Sequence, residues 1–109
     1  MEISIAEISV WGTRPGEKPF LVHVSIGQPF KCRDDPEEWE CPVEISPLYR
    51  RLRGAHADSS LQALCLSLSL VIDLLTDFQQ KGGSLGYEPG DSSFSLEHFV
   101  FGAALTRRC

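Results

Sequence analysis

The sequence predicts an α+β domain: an antiparallel meander of three strands, one long helix packed across it, a returning fourth strand and a short C-terminal helix or strand. Three observations carry that expectation. Residues 20–26 set Phe20, Val22, Val24 and Ile26 on one face against Leu21, His23 and Ser25 on the other, residues 59–81 form a long apolar run with helix signals at both ends, and Gly- and Pro-rich stretches punctuate the rest.

The run Ser59–Lys81 is the natural organiser of the core. Asp58 or Ser59 can cap it, and Ser59-x-x-Gln62 is a capping box in which the hydroxyl accepts from a free helical N–H while Gln62 reaches back. Lys81 suits the negative end of the helix dipole, and Gly82-Gly83 offers a left-handed stop. With residues about 100° apart, Leu61, Leu64, Cys65, Leu68, Ile72 and Leu75 fall on one side, with Val71 and Phe78 beside them. Leu74, Ala63 and Leu70 continue the stripe, and Gln62, Ser69, Asp73, Thr76, Asp77 and Gln80 form the polar side. This arc is wider than a single packed face needs. Either a sheet and the C-terminal segment cover all of it, or the flank around Ala63, Leu66, Leu70 and Leu74 is left as an oligomer contact. Ser67, Ser69 and Asp73 interrupt the run and favour a soluble helix over a membrane span.

The strands are read in order. In residues 2–11, Ile3 and Ile5 share one parity and Ile8 and Val10 the other, so turning all four inward requires a bulge near Ala6–Glu7, unless pairing starts only after it. Gly12–Gly16 ends this strand in turn residues. In the second strand Phe20, Val22, Val24 and Ile26 share a face, and Gly27-Gln-Pro29 closes it, with a short extension through Phe30–Cys32 left open. A loop, Asp34–Glu40, is expected next, followed by a third strand with Cys41, Val43 and Ile45 inward, confined to an edge or a short central piece by Pro42 and Pro47. Residues 48–58 are expected to be an irregular connection carrying Arg50, Arg51 and Arg53. Ser84–Glu88 fits the returning strand, with Leu85 and Tyr87 on one face. Further on, Phe94 and Leu96 alternate like a strand, whereas Leu96, Phe99, Val100, Ala103 and Ala104 follow helical spacing.

Composition bounds the function. A chain of 109 residues with 42% hydrophobic and 23% charged content suits one globular domain, residues 1–109, without need of staples. Its formal net charge of −5 argues against general nucleic-acid binding, which draws affinity from phosphate neutralisation, and is compatible with a basic protein partner. The N-terminal stretch lacks the basic region and apolar run of a signal peptide, and no segment is expected to be a membrane anchor. The four cysteines, Cys32, Cys41, Cys65 and Cys109, form no CxxC pair, which fits a reduced cytoplasmic protein, with a Cys32–Cys41 bridge left open.

Catalytic signals are sparse. His23 is expected on the outer face of a strand, His56 just ahead of the helix and His98 in the tail, none at metal-ligand spacing from Cys or acid. No GxSxG elbow occurs, and Gly82-Gly83-Ser84 follows a helix rather than preceding one, unlike a phosphate cradle. The expectation is therefore no enzyme, no cofactor, no metal site and no catalytic residue. The charged features are a basic cluster, Arg50, Arg51 and Arg53, and an acidic one: Asp34, Asp35, Glu37, Glu38 and Glu40 surround Trp39. The acids lack the alternation and central Gly of a calcium loop. As a partner-binding surface they would steer a basic protein towards an aromatic anchor.

In order along the chain stand Trp11-Gly-Thr-Arg14, Ile26-Gly27, Trp39-x-Cys41-Pro42 and Asp58-Ser-Ser-Leu-Gln-Ala-Leu64. Through these motifs, roughly residues 8–88, the chain resembles a small bacterial family classed as a domain of unknown function. That resemblance implies strands preceding a capped helix in a bacterial, cytoplasmic protein, and it transfers no catalytic residues. In size and acidity the chain is also similar to toxin immunity proteins as a class. The expected function is a non-enzymatic protein-binding domain, an immunity-type inhibitor of a basic toxin or enzyme. The alternative is a homo-oligomeric accessory module, a homodimer through the apolar helix flank.

Overall fold

The computed structural model describes residues 3–49, 52 and 55–96. Among them lie β1 (Ser4–Thr13), β2 (Phe20–Gly27), β3 (Phe30–Asp34), β4 (Glu37–Cys41), β5 (Val43–Ser46), β6 (Ala55–Ala57), α1 (Ser60–Gln80) and β7 (Ser84–Gly86). The α+β class is as expected, but there are two sheets: a four-stranded one in the order β5-β2-β1-β7 and a three-stranded one in the order β3-β4-β6. The first holds the predicted meander and returning strand. The second arises because the extension left open at Phe30–Cys32 and the residues read as loop and connection pair with one another, and Pro42 divides the expected third strand into β4 and β5. The chain forms two compact units, residues up to Ser9 with Val22–Val71, and Val10–Leu21 with residues from Ile72 onward.

In the first unit, β2 pairs antiparallel with β5, matching Val24 with Ile45 and Ile26 with Val43. Val22, Val24, Ile26, Cys41, Val43 and Ile45 are all buried, as their alternation predicts. At its start β1 departs from expectation: Ile3 is 62% and Ile5 48% exposed, so the parity break is met by leaving these two outside rather than by turning all four inward. The Ser59 hydroxyl accepts from Gln62 N–H at 3.1 Å and Gln62 Oε1 accepts from Asp58 N–H at 3.0 Å, so the capping box forms with its return bond one residue earlier than expected.

The buried stripe of α1 is not the one centred on Leu61, Leu64 and Leu68. It runs Ala63, Ser67, Val71, Leu75 and Phe78, with Leu61 68% exposed and Leu64, Cys65, Leu68 and Ile72 only half-buried. Ser67, which breaks the apolar run in sequence, is fully buried, and its hydroxyl donates to the Cys41 carbonyl at 2.7 Å. Small residues at 63 and 67 suit a close approach to backbone, and the hydroxyl supplies a donor where β4 ends before Pro42. Sequence hydrophobicity misplaced the face because the best-packed position is polar.

The second unit buries Val10, Leu75, Phe78, Leu85 and Phe94. β7 pairs antiparallel with β1, setting Leu85 opposite Gly12. Gly82, at φ +100°, ends the helix, with Gly83 N–H donating to the Phe78 carbonyl at 3.0 Å. Arg14 lies over the rings of Phe20 and Phe78 at 5.3 and 5.6 Å. Tyr87 lies beyond β7 and is 56% exposed rather than buried beside Leu85, with its ring edge-on to Phe94 at 5.5 Å. Phe94 N–H donates to the Leu85 carbonyl in place of a helix or strand over residues 91–95. The rest of the predicted C-terminal element, with His98 and Cys109, lies outside the described residues, as do Arg50, Arg51 and Arg53.

Two predictions follow from these contacts. Ser67→Ala removes the donor from the Cys41 carbonyl and should cost about 1–3 kcal/mol, seen as a lower urea midpoint with an unchanged slope. Asp91 accepts from Ser93 Oγ and from the N–H groups of Tyr87 and Ser93. These bonds, the Ser93 hydroxyl first, hold its carboxyl below the usual range. A depressed folded pKa contributes stability above the unfolded value of about 3.9 that is lost as pH falls through the folded value. Asp91→Asn should therefore be less stable than wild type near neutrality, and the gap should close in urea titrations at acid pH.

Candidate functional site

The three-stranded sheet gathers most of the unusual chemistry. Antiparallel pairing sets Arg33 opposite Glu38, Lys31 opposite Trp39 and Phe30 opposite Glu40, with a register shift between Lys31 and Arg33 that leaves Cys32 as the extra residue. On the other side of β4, Glu40 is opposite His56 and Trp39 opposite Ala57. Alternation then puts Glu38, Glu40 and His56 on one face and Trp39 on the other. The acidic run is thus a hairpin, with Asp35-Pro36 as its turn and not a loop throughout. A strand charged on both faces is tolerated because its neighbours bring the opposite charge.

His56 is the hub of the charged face. Its Nδ1 lies 2.7 Å from Glu38 Oε2 and its Nε2 3.0 Å from Glu40 Oε1. Arg33 Nη2 lies 3.5 Å from Glu38 Oε1. The hydrogen bond to His56 is the main cause that holds the Glu38 carboxyl below the usual range; burial opposes it, and the charges of Arg33 and then His56 add smaller lowering effects. Cys32, Glu40 and His56 each bring a ligand-capable atom, all within 4.8 Å of one another. No spacing along the chain announces this group, because β3, β4 and β6 contribute one member each. The one signal in sequence was Glu38-x-Glu40, whose period of two places both carboxylates on the same face of a strand.

The predicted partner-binding residues are therefore sorted into different surroundings. Glu38 and Glu40 are bound to His56, whereas Asp34, Asp35 and Glu37 sit exposed around the turn. Lys31 Nζ lies 3.9 Å from Asp34 and 5.6 Å from the centre of the Trp39 ring. Trp39 is half-buried, its indole N–H donating to Glu37. Of the residues considered for an oligomer contact, Ala63 is fully buried and cannot serve, Leu66 is 44% exposed, and Leu70 and Leu74 are half-buried.

The other candidates are separate. His23 is partnered by Ser9 Oγ at 2.9 Å and by Glu7 at 3.6 Å on the outer face of the sheet. Cys32 and Cys41 are free thiols, so the bridge left open by the sequence is not formed. Cys65 is half-buried, not inside the core as expected. Burial pushes the Cys41 thiol up, with a smaller opposing effect of the Ser67 hydroxyl. A shallow depression is lined by residues including Ser4, Ser25, Gly27, Pro42 and Glu44, without histidine or cysteine. α1 is long and apolar enough to cross a membrane by length and composition, a test that core helices also pass.

No protein-family model, curated protein or solved structure matches the chain.

Exposure orders the thiols. Brief iodoacetamide treatment of native protein, followed by peptide mass mapping, should label Cys32 and leave Cys41 unlabelled until denaturant is added. Equal labelling of both in the native state would contradict the burial of Cys41.

Proposed function

We propose that this chain is a non-enzymatic protein-binding domain, of the immunity-inhibitor kind, that engages a basic partner through the tip of the β3–β4 hairpin. One observation carries the reading: the acidic run is divided, with Glu38 and Glu40 bound to His56, while the tip presents Asp34, Asp35 and Glu37. The Asp34 side chain is 93% exposed. Exposed carboxylates at a hairpin tip favour fast encounter with a positive surface, and half-buried Trp39 nearby supplies apolar area for an anchor. The net charge of −5 adds long-range attraction of the same sign. A bacterial cytoplasmic setting, without nucleic acid or membrane, belongs to the same proposal.

A second reading, self-association through α1, draws on Leu61 and Leu66, 68% and 44% exposed. The two readings separate in one measurement. Native mass spectrometry of the protein captured from its source lysate should give a stoichiometric complex with a basic protein. The triple variant Asp34→Asn, Asp35→Asn, Glu37→Gln should then associate with that protein at least several-fold more slowly and with a flatter dependence on salt. An unchanged rate removes the hairpin tip from the contact. A homodimer dissolved by Leu66→Glu would instead support the helix.

A further inference from the structure

We infer that Cys32, Glu40 and His56 form a binding site for a thiophilic divalent cation, zinc(II) above all, with Glu38 orienting the histidine from behind. The site is distinct from the hairpin tip and stands whether or not the tip binds a protein.

The donor set comes first. A thiol, an imidazole and a carboxylate from three adjacent strands place their ligand atoms within 4.8 Å of one another. In a tetrahedral zinc site, with bonds of about 2.0–2.3 Å, neighbouring donors stand about 3.3–3.6 Å apart. Glu40 Oε1 and His56 Nε2, at 3.0 Å, need to part only slightly. Cys32 is exposed and lies at the register shift, where its thiol makes only a weak hydrogen bond, donated to the Glu38 carbonyl at 3.4 Å, that metal binding would replace.

The hydrogen bonding around His56 points the same way. A metal-ligating histidine commonly gives its other ring N–H to a carboxylate, which fixes the tautomer and aims the free nitrogen at the ion. Glu38 stands in that position, 2.7 Å from Nδ1. With Nδ1–H donated to Glu38, Nε2 turns a lone pair towards Glu40 Oε1, itself an acceptor, and two acceptors 3.0 Å apart require something positive between them. A proton on Nε2 meets that need, and so does a metal ion. The nearby Cys32 thiol favours the soft cation, because thiolate with imidazole suits zinc, whereas calcium and magnesium take oxygen donors. Binding would release the thiol proton and any proton on Nε2. Three protein donors leave a fourth position to water or to an incoming ligand.

Tag-free reduced protein titrated with cobalt(II) tests this directly. The expected result is one equivalent bound, with thiolate-to-cobalt charge-transfer absorption in the near ultraviolet, displaced stoichiometrically by zinc(II). Cys32→Ser should abolish that absorption, His56→Ala should weaken binding by at least 10-fold, and Glu38→Gln should weaken it by about 10–100-fold. Cys65→Ser and Cys109→Ser should leave it intact. Far-UV circular dichroism verifies that each variant is folded. The wild type supplies a readout that needs no variant: zinc should shift the His56 ring resonances in slow or intermediate exchange. The inference is overturned if the wild type takes up no cobalt or zinc at tens of micromolar. It is equally overturned if binding survives both Cys32→Ser and His56→Ala, or if calcium displaces zinc.

Discussion

The fold turns on the bond between the Ser67 hydroxyl and the carbonyl of Cys41. Cys41 is the last residue of β4, and Pro42 after it offers no N–H, so the chain passes from one sheet to the other at a point where ladder bonding lapses. A buried carbonyl without a donor would cost a sizeable share of a small domain's stability. Ser67 provides the donor from the middle of the helix. The bond also sets the rotation of α1, since it fixes which residues one turn either way, Ala63 and Val71, face inward. Gly27 N–H donates to the Pro42 carbonyl at 2.8 Å, securing the other side of the same break.

This dependence explains what the sequence could and could not reveal. The alternation of Val22, Val24 and Ile26, the capping box at Ser59 and the glycine stop after Lys81 are local signals, and each became the expected element. The orientation of the helix was not local. Leucine density favoured the side of Leu61, Leu64 and Leu68, whereas packing chose the side with two small residues, one of them polar. Likewise β3, β4 and β6 are short and charged, so that beyond Phe30 and Cys32 their periodicity does little to mark them as strands. They are joined by ladder pairing and by cross-strand polar pairs, Arg33 with Glu38 and His56 with Glu40, which only a register reveals.

The candidate site follows the same logic. As a string, Asp34–Glu40 is one acidic feature. As a hairpin it is two, because β4 directs alternate side chains to opposite faces and β6 sets His56 directly across from Glu40. Two carboxylates are thereby withdrawn from the free charge of the run and given a defined task around one imidazole. Those at the turn stay exposed, with Asp34 beside Lys31 and Glu37 accepting from the Trp39 indole. The acidic composition legible in the sequence thus overstated the surface available to a partner and concealed the cluster behind it.

What remains is why a solvent-facing sheet should hold a histidine between two carboxylates with a thiol beside them. Stability alone is a weak reason, since exposed ion pairs contribute about 0–1 kcal/mol, and Arg33 already serves Glu38. Edge protection is a weak reason too: β3 is an edge strand, but a single lysine would blunt it without help from Cys32. An arrangement that orders a carboxylate, an imidazole and a second carboxylate in line, with a free thiol within reach, fits selection for what those donors bind together. That makes β3-β4-β6 more than a prop for the hairpin. Its tip carries exposed charge, its far face carries the aromatic, and its near face carries the donors.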